Sequence, residues 1–205
     1  MKKKLLWPVL LILVFVLSRW PGLMPPGFTA AYAILFCAGL YLPGRWGWFI
    51  PLCVLGGSDF LLNAFYSHGS FSAGKFILAE LPVFLAYAGL IALGRAFEGK
   101  RPFWMLVGGG LLGAIVFYIV TNTAAWLSDP GYPKSLAGWI QAITVGLPGY
   151  PQTWEFFRNT LMSGGIFTGL FVGAMKLTAE KSEESEEEDE ESAKEPDAEP
   201  AKADS

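Results

Sequence analysis

Asp59 is a carboxylate inside WGWFIPLCVLGGSDFLLNAFY, a run from Trp46 to Tyr66 with no other formal charge. An ionisable side chain at membrane depth is costly and is usually kept for a partner or a task. Asn63, Glu80, Asn122, Glu155, Arg158 and Asn159 also stand in apolar runs or at their ends. Carboxylates and amides of this kind orient a solute by hydrogen bonds or charge pairing. They do not make a nucleophile with its base: HExxH, CxxC and the nucleophile elbow are all missing from the sequence. His68, the single histidine, lies in an SHGS loop without a neighbouring Cys or acid. Cys37 and Cys53 fall in different apolar runs and read as small buried hydrophobes. Gly108, Gly109 and Gly110 lack the Lys and the preceding strand of a phosphate loop. We therefore expect no enzyme, no metal, no cofactor and no nucleic-acid partner.

The elements that carry these groups are membrane helices. The chain is 53% hydrophobic with 16 Phe and 8 Trp, and several apolar runs exceed the roughly 18 residues of a spanning segment. We read six spans: 5–18, 28–42, 46–66, one within 75–97, 103–127 and 154–177. Pro82 either kinks the fourth or marks its true start. The basic, apolar N-terminus lacks a small-x-small cleavage site and reads as an uncleaved first helix. Gly109 and Gly113, and Gly165, Gly169 and Gly173, are spaced four apart, which lets helix backbones approach closely in lipid.

The formal charge of −3 conceals two regions of opposite sign. Residues 176–205 carry 13 acidic and 4 basic side chains; the rest carries 11 basic and 5 acidic. With the N-terminus inside, nine cations fall on the cytoplasmic side (Lys2, Lys3, Lys4, Arg45, Arg95, Lys100, Arg101, Lys176 and Lys181). Four (Arg19, Lys75, Lys134 and Arg158) fall outside. The positive-inside rule then places a multi-pass protein in the bacterial inner membrane with both termini cytoplasmic. A transmembrane domain over 1–178 is followed by an acidic tail, 179–205, without aromatic or large aliphatic residues, which we expect to be disordered.

Ser128 to Thr153 is the one long loop. Its SLAGWIQAITVGL stretch fits a short helix capped by Ser135, either a lid over a site or an interfacial linker. Counting about 1.5 Å per residue puts Asp59 about 20 Å up a core about 30 Å thick. On the same count Asp59, Asn63, Glu80, Asn122, Glu155, Arg158 and Asn159 share the outer leaflet. We expect Asp59 and Asn122 to orient a solute in a cavity open to the outside, with Asn159 and Trp126 as neighbours. Pairing among the polar groups themselves, or solvation at the interface, are the alternatives.

Phe28-Thr29, Ser58-Asp59, Asn122 and Trp126, Tyr132-Pro133, and Phe156-Phe157-Arg158-Asn159-Thr160 carry a resemblance. Over roughly 20–175 the chain resembles a bacterial family of small six-helix membrane proteins of unknown function, with Ala30 where the family has Pro. That family is similar to the substrate-binding S components of energy-coupling-factor transporters. The resemblance implies an all-α S-component-like bundle with a loop-capped outer pocket, a small-molecule solute, and a transmembrane coupling subunit with ATPases as partner. Ala30, Ala31, Ala33 and Ala38 would be the docking stripe for that subunit. The rival expectation is a membrane scaffold, similar to envelope-morphogenesis proteins of the rod-shape-determining type, with the acidic tail as its working part.

Overall fold

A computed structural model describes residues 14–20, 22–66, 72–99 and 101–194 of the chain. The described residues are helical, with no strand among them. Residues 14–19 form the described part of α1. Then come α2 (Ala31–Tyr41), α3 (Trp46–Tyr66), α4 (Ala73–Ala96), α5 (Phe103–Ser128), α6 (Leu136–Ile143) and α7 (Thr153–Lys194). Four segments are long and apolar enough to cross a bilayer: α3, α4, α5 and Thr153–Ser182 within α7. Most of the first expected span, and the SHGS loop with His68, lie outside the described residues.

The helices begin and end where local chemistry dictates. Ser135 accepts a hydrogen bond from the Gly138 N–H at 3.3 Å and caps α6, as its sequence predicts. Pro102 precedes α5, where its missing N–H is not needed. Pro51 and Pro82 lie inside α3 and α4. Since α4 starts at Ala73, Pro82 is interior, and the Leu78 carbonyl loses its helical partner there.

The second expected span is a different kind of element. At 11 residues α2 is about half the length needed to cross a bilayer, and nine of its residues are buried. It is apolar on every side, which suits a helix surrounded by other helices. One side joins Ala33, Phe36, Cys37 and Leu40 to Leu106 of α5 and to Phe167, Phe171 and Val172 of α7. The other joins Ala31, Tyr32 and Leu35 to Leu55 of α3 and to Tyr87, Leu90 and Ile91 of α4. Ala30, Ala31, Ala33 and Ala38, expected to dock a coupling subunit, are thus buried within the bundle and present no external stripe.

Lipid tails are as apolar as leucine, so close packing and polar pairs hold such helices together more than hydrophobicity does. Gly39 faces the Ile91 carbonyl and Gly94 faces the Phe36 carbonyl, which brings α2 and α4 into backbone contact. On α5, Gly109 receives the rings of Phe36 and Phe97, and Gly113 meets Leu90 and Leu93. Gly110 takes Thr168, Gly164 meets Ala114, and Gly165 meets Leu111, joining α5 to α7. The outward faces keep large apolar side chains bare, Phe65 at 77%, Leu78 at 74% and Leu85 at 63%, as a lipid-facing surface does.

The chain divides at Val172 into the bundle and a second unit that starts at Gly173. Within the second unit α7 continues to Lys194. Glu, Lys and Ala are good helix formers, and the costly first turn is already supplied by the preceding helix. Thr178 Oγ1 and Ser182 Oγ donate to carbonyls four residues back, at 2.8 and 3.0 Å. Residues 195–205 lie outside the described residues.

Candidate functional site

The expected site residues separate into two groups. Asp59 is engaged by protein on both oxygens. Arg19 Nη2 donates to Oδ1, and the Tyr87 hydroxyl donates to Oδ2 at 2.9 Å. The side chains are 18% and 12% exposed, so the ion pair is largely withdrawn from solvent. It ties the end of α1 to α3 and α4. Glu80 lies within electrostatic range of the same pair. Asn63 turns back to donate to the Asp59 backbone carbonyl at 3.0 Å.

Asn159 and Trp126 also hold backbone. Asn159 is buried, and its Nδ2 donates to the Pro26 carbonyl at 2.9 Å, fixing the turn before α2 onto α7. Trp126 Nε1 donates to the Pro133 carbonyl at 2.9 Å, and Lys134 Nζ donates to the Trp126 carbonyl, so this pair closes the loop after α5. Arg158 lies over the Trp154 ring at 5.4 Å from its centroid.

Asn122 lines a cleft that the other three do not. This cleft of about 350 Å³ opens at the end of the bundle that carries α6, near the lower bound of about 300 Å³ for small-ligand sites. From α5 it receives Phe117, Tyr118, Thr121 and Asn122. The loops around α6 supply Asp129, Tyr132, Leu147 and Tyr150; the start of α7 supplies Thr153, Phe156 and Thr160. Gly27 and Tyr32 complete it from the α2 side. Asn122 Nδ2 donates to the Tyr118 carbonyl at 2.8 Å, and this is its one hydrogen bond among the described residues, leaving the amide oxygen as an acceptor.

Two glycines shape this cleft by backbone conformation. Gly27 has φ +79°, and a Cβ there would meet the Phe156 carbonyl at 3.2 Å and Thr160 Oγ1 at 3.3 Å. Gly146 has φ +77°, with Thr153 Oγ1 at 2.6 Å from the same point. Both positions require the left-handed region and close approach, which only glycine supplies without strain.

The α6 segment, whose flanking loops line the cleft, is fastened to α5 and α7 by hydrogen bonds. The buried Tyr118 hydroxyl reaches the Ile143 carbonyl at 2.8 Å and the Thr153 carbonyl at 3.1 Å. Its single proton serves one of them at a time. Trp139 Nε1 donates to Thr123 Oγ1 at 2.9 Å, and the Trp154 N–H donates to the Thr144 carbonyl at 2.6 Å. In the loop, burial first and the Asp129 carboxylate second raise the Tyr132 pKa, so this phenol stays neutral at ordinary pH.

Asp59 stands behind the cleft. Tyr87, which holds it, stacks on Phe117 at 5.8 Å and 17°, and Phe117 packs on Tyr32 at 4.9 Å. The Tyr32 hydroxyl donates to the Gly27 carbonyl at 3.2 Å and lies 3.5 Å from Thr160 Oγ1. Tyr32, Tyr87 and Thr160 were not among the expected site residues. Nor was Arg19 paired with Asp59, although charge counting puts both toward one end of the bundle.

The fold and its apolar surface define a helical membrane bundle. The chain belongs to a family of unknown function, DUF6580, matched over residues 1–187. No curated protein and no solved structure matches it.

Proposed function

We propose that this is a small-solute-binding membrane protein with the cleft between α5, the loops flanking α6 and the start of α7 as its site. One observation carries the reading: a cavity of about 350 Å³ lined by aromatic and hydroxyl residues and by Asn122, whose amide oxygen is free. Pockets of this size and mixed lining hold and orient small molecules. Asn122 would accept a hydrogen bond from the solute. Asp59, Trp126 and Asn159 would act by holding the walls in place.

The role is binding without catalysis, and transport would need a separate energy-supplying partner. The excess of cationic loops toward the other end supports a bacterial inner-membrane protein with both termini in the cytoplasm and the cleft outside. An S-component-like role fits that placement. The buried alanines of α2 argue that any coupling subunit meets a different face.

Small-molecule mass spectrometry on purified protein tests the proposal. A compound should co-purify with the wild type and be lost from Asn122→Ala. An empty wild type would overturn it. A scaffold role is the second reading, favoured by the use of Asp59, Trp126 and Asn159 as braces and by the helical acidic extension to Lys194. Truncation after Leu177 separates the two, because solute binding would survive it and scaffolding would not.

A further inference from the structure

Six of the described residues that line the cleft are aromatic, one is acidic, and none is Lys, Arg or His. We infer that the cleft takes a small organic cation, a compound with an ammonium or quaternary nitrogen, an inference that rests on the solute-binding reading above.

The electrostatics run one way. The faces of aromatic rings carry negative potential and attract a positive nitrogen within about 6 Å, most strongly where water is excluded. Tyr32, Phe117, Tyr118 and Phe156 line the cleft from three helices, and Tyr132 and Tyr150 line it from the loops around α6. Asp129 supplies the formal charge. One of its carboxylate oxygens accepts the Gly131 N–H at 2.7 Å, and the other takes no hydrogen bond among the described residues. An anion would find one carboxylate and no counter-charge in the lining. A cation would find a partner for its charge and rings for its alkyl or aromatic surface.

Two cations stand near the lining: Arg19, within electrostatic range of Tyr32 but paired with Asp59, and Lys134. The Lys134 Nζ is held by the backbone carbonyls of Trp126 and Asp129, the latter at 2.6 Å, and this lysine does not line the cleft. Its position fixes the loop and weakens the field of Asp129 without reversing the character of the lining.

The test uses the full-length protein in detergent, with choline and its uncharged analogue in which carbon replaces the ammonium nitrogen. Choline should raise the melting temperature, and the analogue should not. Asp129→Asn keeps an oxygen for the Gly131 N–H and removes the charge, so it should fold and lose the choline effect. Tyr150, 74% exposed, can be changed with little risk to folding. Tyr150→Leu should weaken choline by roughly two- to fivefold, and Tyr150→Phe should retain it. The compound that co-purifies with the wild type should carry a net positive charge.

Equal shifts from choline and its analogue, unchanged choline binding in Asp129→Asn, or a neutral or anionic co-purifying compound would overturn the cation assignment and leave the binding site standing. If neither probe shifts the protein and nothing co-purifies, the solute-binding reading fails and takes the cation with it.

Discussion

Arg19 closes on Asp59 from the end of α1, and the carboxylate that stands alone in its own helix is neutralised by a residue forty positions earlier in the chain. The Tyr87 hydroxyl holds the second oxygen. The three side chains join α1, α3 and α4 at one depth. Tyr87 in turn stacks on Phe117, which lines the cleft.

Breaking this pair on one side should be worse than removing it. Asp59→Ala leaves Arg19 with its charge and most of its surface withdrawn, at a cost of about 3 kcal/mol. Replacing both, Arg19→Leu with Asp59→Leu, should recover much of the loss. Thermal unfolding in detergent across the double-mutant cycle reads the difference; strict additivity would refute the coupling.

The α2–α4 contact should tolerate no added carbon. Gly94→Ala drives a methyl group into the Phe36 carbonyl, and Gly39→Ala does the same at Ile91. Backbone cannot rotate away as a flexible side chain can, so either change should cost 2 kcal/mol or more, about the upper part of the overpacking range. Gly89→Ala is the internal control. It lies on the same helix with open space at its Cβ, and should be neutral or stabilising by up to about 1 kcal/mol.

Tyr118→Phe keeps the ring against Phe157 and deletes the proton that fastens α6. The global stability should fall by only about 1 kcal/mol, the usual net worth of one hydrogen bond. Hydrogen exchange should rise locally, across residues 136–152, with the long helices unchanged. A uniform rise would mean that the hydroxyl supports the whole bundle.

Asn122→Ala and Asn159→Ala should part in their effects. Asn122 bonds the backbone of its own helix and faces the cleft, so its loss should weaken solute binding about tenfold with stability nearly intact. Asn159 holds the Pro26 carbonyl in a buried place, so its loss should lower stability by about 1–3 kcal/mol. Paired measurements of melting temperature and solute retention check both.

The long helices were legible because their signals are local. The apolar run from 46 to 66 became α3 with those same limits, and Ser135 capped α6 as its place before LAGWIQAI indicates. The short span at 28–42 was legible as helix but not as a buried one, because burial on all sides depends on what packs around it. That Asp59, Asn122, Trp126 and Asn159 need polar partners was legible, and each makes a hydrogen bond within the protein. Which of them face a common space was not.

The sequence by itself determined the long helices, their apolar character, the charge division between membrane part and tail, and the position of each polar group along its helix, since position follows from a fixed rise of about 1.5 Å per residue. Only the tertiary structure decided direction around each helix axis. Each step along a helix turns about 100°, so a small rotation sends a side chain to lipid, to a neighbour or to a cavity. That rotation is set by close contacts between helices far apart in the chain, such as Gly39 on Ile91 and Gly110 on Thr168. It gave Asp59 to Arg19 and Tyr87, and left Asn122 to the cleft.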